Sequence, residues 1–324
     1  MESITVNETP LPKIPKIGLG TWKMDNDKVY EVVLKAIKLG YRYIDCAWEY
    51  ENEVGVGKAI KEAIDTGIVK REDLFIVTKL WNTFHRPELV EVNIQDSLKR
   101  LNLSYIDLYL IHWPLAFKPG DDPYPRINGR IQYDKVPLHE TWKAMEELTK
   151  DKENRKFLTK YIGVSNFPSI LLHDLIMSAT IKPIANQIES HLYLQQRDLI
   201  KWCEKNNILI MAYSPLGGSY DYGNTVTDKK FEHPLKNTIV LELAKKKNCS
   251  SSDIIYAWHR QRAEKYVIVS KSEKEERLIQ TLKIMNGTIK INLTDEEMEL
   301  LSKEDKNLRL NDAAKVFWEI PSFE

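Results

Sequence analysis

Cysteine is scarce in this chain: Cys46, Cys203 and Cys249 are the three among 324 residues. They cannot complete a disulfide framework, and their spacing suits neither a zinc site nor a CxxC redox pair. A reducing compartment is the expectation. Net charge is missing as well, since Lys plus Arg and Asp plus Glu are both 47, which excludes the long basic stripe of a nucleic-acid binder. No run approaches the roughly 18 apolar residues of a membrane span. The N-terminal MESITVNETPLPKIP has neither the basic start nor the apolar core of a signal peptide, so the expected place is the cytoplasm, without a membrane partner. Triplets such as Asn102 to Ser104 are then chance matches to a glycosylation pattern. HxH, HExxH and Cys/His groupings are lacking, so no metal is expected.

What is present is alternation. Seven apolar runs each stop at a polar residue: Tyr41 to Asp45, Leu74 to Lys79, Ile106 to His112, Tyr161 to Asn166, Ile184 to Gln187, Ile208 to Ser214 and Tyr266 to Lys271. Segments with helical period lie between them: Asp27 to Leu39, Glu53 to Asp65, Pro87 to Leu101, Leu138 to Leu148, Ser169 to Ser178, Gln196 to Asn206, Thr238 to Lys247 and Glu273 to Met285. With the short Ile17 to Gly20 run in front, the count is eight strand–helix units. That predicts an α/β chain folded as one (β/α)8 barrel over residues 1–324, with its site at the C-terminal ends of the strands. The proline-rich start suits a hairpin plugging the bottom of the barrel. Three stretches break the rhythm: Trp113 to Pro137, Gly217 to Pro234, and the tail from about Asp305. Long irregular segments in a compact domain are usually functional, and these three are expected over the top as substrate walls. Asp151 to Phe157, charged and placed before a strand, reads as a solvated loop at the bottom.

Taken singly, the polar strand ends have plain explanations. His112 is readable as a structural histidine, Lys79 as a surface charge, Asp45 as a helix cap and Tyr50 as a packed aromatic. Taken together, Asp45, Lys79 and His112 end neighbouring strands and Tyr50 follows the first, so they converge on one volume. An ammonium beside a phenol stabilises phenolate and is expected to lower the tyrosine pKa, making Tyr50 a general acid. Asp45 would hold Lys79 charged, and His112, neutral, would orient a substrate oxygen. A proton donor with neither nucleophile nor metal suggests carbonyl reduction, with the hydride supplied by a cofactor.

Several blocks occur in the order found in one family: GLGTWK (Gly18 to Lys23), YRYIDCAWEYENEVGVGKAI (Tyr41 to Ile60), VTKLWNTFH (Val77 to His85), SLKRLNLSYIDLYLIHWP (Ser97 to Pro114), IGVSNF (Ile162 to Phe167), ANQIESH (Ala185 to His191), YSPLG (Tyr213 to Gly217) and SKSEKEER (Ser270 to Arg277). Over nearly its whole length the chain resembles an aldo-keto reductase, most of all the xylose reductase and aldose reductase branches. The resemblance implies NAD(P)H-dependent reduction of aldehydes or aldoses, with Asp45, Tyr50, Lys79 and His112 as the catalytic set. It implies nicotinamide contacts at Ser165, Asn166, Gln187 and Tyr213, cofactor contacts at Thr21 and Trp22, and a pyrophosphate path along Ser214 and Leu216. GxGxxG is absent, as befits a family that lays the dinucleotide over a barrel; GLGTWK is not a Rossmann fingerprint.

For the coenzyme, Lys271, Ser272 and Arg277 match the family's grip on the 2'-phosphate of NADPH, by charge-assisted bonds of the strong kind. The segment departs from the family pattern at Ser270, where relatives carry proline, and at Glu273, a carboxylate able to repel that phosphate or to accept from the free ribose of NADH. Gln280 and Thr281 stand where relatives often place an adenine-binding Glu and Asn. NADPH is the expected cofactor, with NADH use left open. For the substrate, the resemblance points to Trp22 and Trp113 as aromatic walls and to Glu49 and Asn311 as partners for hydroxyls. The tail motif LRLND is close to the LRFND of xylose reductases, while Phe317, Trp318 and Phe323 would suit an apolar lid. Two other readings stay open: a ketone reductase for steroid- or prostaglandin-like lipids, and a catalytically silent NADPH-binding protein. The resemblance also leaves monomer or homodimer open.

Overall fold

The computed structural model describes residues 11–152, 156–218, 232–311, 313 and 318–320. Eight parallel strands close into a barrel: β1 Ile17–Gly20, β2 Tyr43–Asp45, β3 Phe75–Leu80, β4 Ile106–Ile111, β5 Thr159–Ser165, β6 Ala185–Glu189, β7 Leu209–Tyr213 and β8 Tyr266–Ser270, with β8 hydrogen-bonded back to β1. The expected (β/α)8 architecture is the one found.

Side chains of a strand alternate between its two faces. On one face, Tyr43, Phe75, Val77, Leu108, Leu110, Ala185, Leu209, Met211, Val267 and Val269 form a single apolar cluster filling the barrel. In the six strands that supply this cluster, the next residue of the same parity at the top is Asp45, Lys79, His112, Gln187, Tyr213 or Lys271. Period two therefore carries these six strands from apolar filling to polar wall within two residues. The other face packs on the helices in a larger cluster that includes Ile44, Ile76, Ile111, Val164 and Ile268.

The surrounding helices are α1 Asn26–Leu39, α2 Glu53–Asp65, α3 Pro87–Leu101, α4 Leu138–Glu147, α5 Ser169–Ser178, α6 Arg197–Lys205, α7 Thr238–Lys246, α8 Ser251–Arg262, α9 Glu275–Met285 and α10 Asp295–Ser302. Their ends follow local chemistry. Asp25 caps α1 by accepting from Lys28 N at 2.8 Å, and Gly40 closes it in the left-handed region at φ 107°. Gly55 lets α1 and α2 approach: a Cβ there would stand 2.2 Å from the Asn26 carbonyl oxygen.

Two helices, α8 and α10, lie outside the segments whose period is readable in the sequence. Seven consecutive residues of α8, Asp253 to His259, are buried, so it shows no polar face to reveal its period. Thr294 and Glu297 form a capping box at the start of α10, a readable signal of the S/T-x-x-E kind. The stretch from Trp113 to Pro137 is not wholly irregular either, for Arg126–Ile127 and Arg130–Ile131 pair as an antiparallel ribbon.

Most of the expected N-terminal hairpin lies outside the described residues. In its described part, residues 11–16, there is no strand, and Leu11 and Ile14 pack against the barrel-filling cluster. Residues 219–231 of the second irregular stretch, residues 153–155 of the charged loop, and Phe317 and Phe323 also lie outside the described residues. Among the described residues no helix is long and apolar enough to cross a membrane, and all three cysteines are free.

Candidate active site

Asp45, the last residue of β2, is the hub of the barrel mouth. Its Oδ1 accepts from the Lys79 ammonium at 2.6 Å, and its Oδ2 accepts from Gln187 Nε2 at 2.6 Å and from the Tyr43 hydroxyl at 3.0 Å. Lys79 is fully buried and also donates to the Cys46 carbonyl at 2.6 Å. A buried ammonium survives only with a counter-charge and hydrogen bonds to match, and it has both here. Thr21, the residue after β1, closes the network, its hydroxyl donating to the Asp45 main-chain oxygen at 2.9 Å.

Tyr50 sits beyond β2 in the short helical turn Trp48–Tyr50. Lys79 Nζ lies 5.1 Å from the centroid of its ring, and the His112 ring meets it edge-on at 5.8 Å. All four candidate residues except the more deeply placed Lys79 line one cavity, with Lys79 directly behind Asp45. The expectation of a lowered tyrosine pKa is corrected. Lys79 gives its hydrogen bonds to Asp45 and Cys46, while burial first, then the negative charge of Asp45 and Glu49, push the Tyr50 phenol well above its usual value. It is thus held in the protonated form that an acid needs. Burial and the neighbouring Lys79 charge drive the His112 pKa well below normal, so its imidazole is neutral.

The ends of β5 to β7 form an amide-rich wall. Ser165 Oγ donates to the Gln187 carbonyl at 2.8 Å; Asn166 Nδ2 donates to the His112 carbonyl at 3.0 Å, and Asn166 Oδ1 accepts from the Tyr213 hydroxyl at 2.8 Å. Asn166 adopts φ 64°, a left-handed conformation that asparagine tolerates better than most residues. Gln187 ties this wall to Asp45. Beyond Tyr213 the cavity continues along Ser214, Pro215 and Leu216 to Ser270, Lys271 and Arg277. Ser272 and Glu273 are not on its wall: the Ser272 hydroxyl accepts from Lys274 N at 3.2 Å, and the Glu273 charge partly offsets the burial that lowers the Lys271 pKa. Ser270 hydrogen-bonds the Tyr256 hydroxyl at 2.8 Å, and the Thr281 hydroxyl is taken by the Arg277 carbonyl at 2.8 Å.

At the other end, the cavity of about 850 Å³ is walled by Trp22, Trp81, Trp113, Tyr124, Trp318, Glu49 and Asn311. Trp113 and Trp318 meet edge to face at 5.1 Å. Glu49 accepts a hydrogen bond from the Tyr124 hydroxyl, and burial raises its pKa to about 7. Asn311 Nδ2 donates to Ser214 Oγ at 3.2 Å. Sequence reasoning misses Trp81, Tyr124 and Arg126. Trp81 follows directly on β3, a readable position. Tyr124 sits in a long loop with no period, held by stacking edge-on against Trp81 at 5.3 Å, and nothing local announces it.

One cavity thus runs from Tyr50 and His112, with Lys79 behind Asp45, along a wall of side-chain amides to the cationic end at Lys271 and Arg277. Known proteins share both the sequence and the fold. The sequence is 41% identical over 304 residues to aldo-keto reductase family 1 member A1 of Gallus gallus, covering 92% of this chain and 87% of that protein. The Rattus norvegicus protein of the same name is 40% identical, with 92% and 88% covered. Among solved structures, the aldose reductase of Giardia lamblia superposes with a TM-score of 0.84 at 36% identity, covering 96% of this chain and 98% of that one. The aldose reductase of Schistosoma japonicum gives 0.84 at 34%, covering 99% and 98%. Residues 16–305 match the Aldo/keto reductase family, and with the barrel, the polar strand ends and these relatives in hand, the chain belongs to that family of oxidoreductases.

Proposed function

We propose that the chain reduces aldehydes, aldoses among them, to alcohols with NADPH, and that Asp45, Tyr50, Lys79 and His112 handle the proton. The observation that carries this reading is the joining of Tyr50 and His112 to Lys271 and Arg277 along one cavity. The donor set fits a dinucleotide: side-chain amides and a hydroxyl at Ser165, Asn166 and Gln187, a flat ring at Tyr213, and two cations at the far end. When bound, the reduced nicotinamide supplies hydride to the carbonyl carbon.

The protein's part is acid catalysis and charge placement. Tyr50, protonated by virtue of its burial, donates to the carbonyl oxygen as that oxygen gains charge. Neutral His112 orients the oxygen through a ring N–H. Lys79 compensates the phenolate as it forms, and Asp45 holds Lys79 in place. The tryptophan wall excludes water from the reacting centre.

Lys271 and Arg277, both on the cavity wall, favour the 2'-phosphate of NADPH. Glu49 and Asn311 offer polar atoms to hydroxyls, which supports sugars and other hydroxylated aldehydes. The wall of Trp81, Trp113 and Trp318 supports a second reading, reduction of apolar ketones by the same chemistry. Free thiols at all three cysteines support a cytosolic place.

Oxidation of NADPH and NADH against xylose, glyceraldehyde, an aromatic aldehyde and a ketosteroid tests the reading. Tyr50→Phe should lower turnover about 10²–10⁴-fold, the usual worth of a positioned acid, while coenzyme binding persists. A wild type that binds NADPH and turns over none of the panel would leave a binding protein in place of an enzyme.

A further inference from the structure

Glu189, the last residue of β6, has the same parity as Gln187 and would be expected to join the polar wall. Its carboxylate is instead fully buried and turned to the C-terminal tail. Oε1 accepts from Leu310 N at 2.8 Å and Oε2 from Asn311 N at 2.9 Å, with the Arg309 guanidinium 4.0 Å from Oε2. His191 Nδ1 accepts from Tyr193 N at 3.3 Å, so in the neutral ring the proton lies on Nε2, which donates to Glu189 Oε1 at 3.0 Å. Burial works to raise the Glu189 pKa, but His191, Arg309 and the Asn311 amide outweigh it and hold the carboxyl below its usual range. The tail approaches along the same strand-end segment: Lys306 N and Leu308 N donate to the Tyr193 carbonyl at 3.1 and 2.9 Å, and Gln195 Nε2 donates to the Leu301 carbonyl at 2.9 Å.

Two consecutive amides on the two oxygens of one carboxylate fix both the position and the direction of the main chain. The residue so fixed is Asn311, whose side chain reaches the cavity and hydrogen-bonds Ser214 Oγ. We propose that Glu189 is a specificity-setting positioning residue, pinning the tail at Leu310 and Asn311 so that the Asn311 amide forms part of the substrate wall. This role rests on the carbonyl-reductase reading above. It touches neither substrate nor coenzyme; its effect passes through Asn311. A carboxylate that only stabilised the fold would act on all substrates alike.

The test uses the full chain with Glu189→Gln, which removes the charge and one acceptor, and glyceraldehyde against propanal, which differ in hydroxyls alone. Amide hydrogen exchange at Leu310 and Asn311 should speed up while the barrel strands keep their protection. The glyceraldehyde-to-propanal ratio of kcat/KM should fall about tenfold, the order of one lost hydrogen bond, through the KM for glyceraldehyde, with kcat for propanal kept. Asn311→Ala should produce the same fall, and the double variant no further one. An equal loss on both aldehydes, an unchanged ratio, or a double variant that multiplies the two effects would overturn the proposal. Should the Gln variant not fold, Glu189→Asp, charged but one methylene shorter, is held to the same outcomes. Unaltered amide exchange in an active variant overturns the anchor alone, whereas a wild type inert to both aldehydes overturns the reductase reading and this role with it.

Discussion

Replacing Asp45 with Asn probes the hub of the site, and the expected damage exceeds what the near-identical shape suggests. The carboxylate accepts three hydrogen bonds, one from Lys79 on Oδ1 and two, from Gln187 and Tyr43, on Oδ2. An amide keeps one acceptor and turns the other position into a donor. If its NH₂ faces Lys79, two donors oppose each other there; if it faces Gln187 and Tyr43, they do so on that side. A hydrogen bond to a charged group contributes about 1.5–3 kcal/mol, and a buried donor left without an acceptor costs about 1–3 kcal/mol. The Lys79 ammonium, fully buried, also loses its counter-charge. The sum lands near the roughly 3–5 kcal/mol found when one member of a buried ion pair is removed.

For a chain of this size that is a fall in Tm of roughly 6–10 °C, at about 2 °C per kcal/mol. The assay is thermal unfolding of Asp45→Asn, Lys79→Met and the double variant, with single-turnover hydride transfer measured beside it. Removing both charges leaves neither one orphaned, so the double variant should lose clearly less than the two singles added together, a coupling of about 1–3 kcal/mol. Hydride transfer should be crippled in all three. An Asp45→Asn protein melting within about 1 °C of wild type, or strict additivity of the singles, would refute the view that this pair organises the barrel mouth.

Two further outcomes follow from charges elsewhere. Glu53, buried at the start of α2 and accepting from the Thr78 hydroxyl at 2.6 Å, has its pKa raised to about 7, chiefly by burial. The folded state therefore binds a proton that the unfolded chain, with a carboxyl near 4.3, has already released, so Glu53 costs stability as pH rises from about 4.5 to 7, by about 3 kcal/mol in all. Glu53→Gln should gain on wild type across that window in melts run at both pH values, and parallel pH curves would contradict the assignment. Arg277→Ala should raise the KM for NADPH by about 10–100-fold, as loss of a charge-assisted bond implies, and leave the KM for NADH nearly unmoved. Equal effects on both coenzymes, read by fluorescence titration, would place the phosphate elsewhere.

The fold is legible because each barrel strand is a run of apolar residues ended by a polar one, and because seven of those runs and a short eighth alternate with helical period. The same rule makes the site legible: parity carries Tyr43 to Asp45, Val77 to Lys79 and Leu110 to His112, so the inward top position can be read from the order of residues alone. What fails to show depends on burial or on distant partners. Helix α8 escapes because Asp253 to His259 are buried in succession and leave no polar stripe to count. The direction of the Tyr50 shift is misread because the sequence names Lys79 as a neighbour but cannot weigh it against the loss of solvent and the charges of Asp45 and Glu49. Tyr124 escapes because its contact with Glu49 joins a loop to a turn 75 residues away in sequence. Glu189 is the sharpest case. It stands in a legible strand, at a legible parity, in a block shared with the family, and the rule that succeeds for Asp45 and Gln187 would send it into the pocket. It takes the tail instead, because two main-chain amides arriving from more than a hundred residues away, with His191 two residues along the chain beside them, offer a buried carboxylate more than the cavity does. Strand parity therefore tells which residues can reach the barrel mouth; what arrives from the rest of the chain decides which of them remain free to do chemistry there.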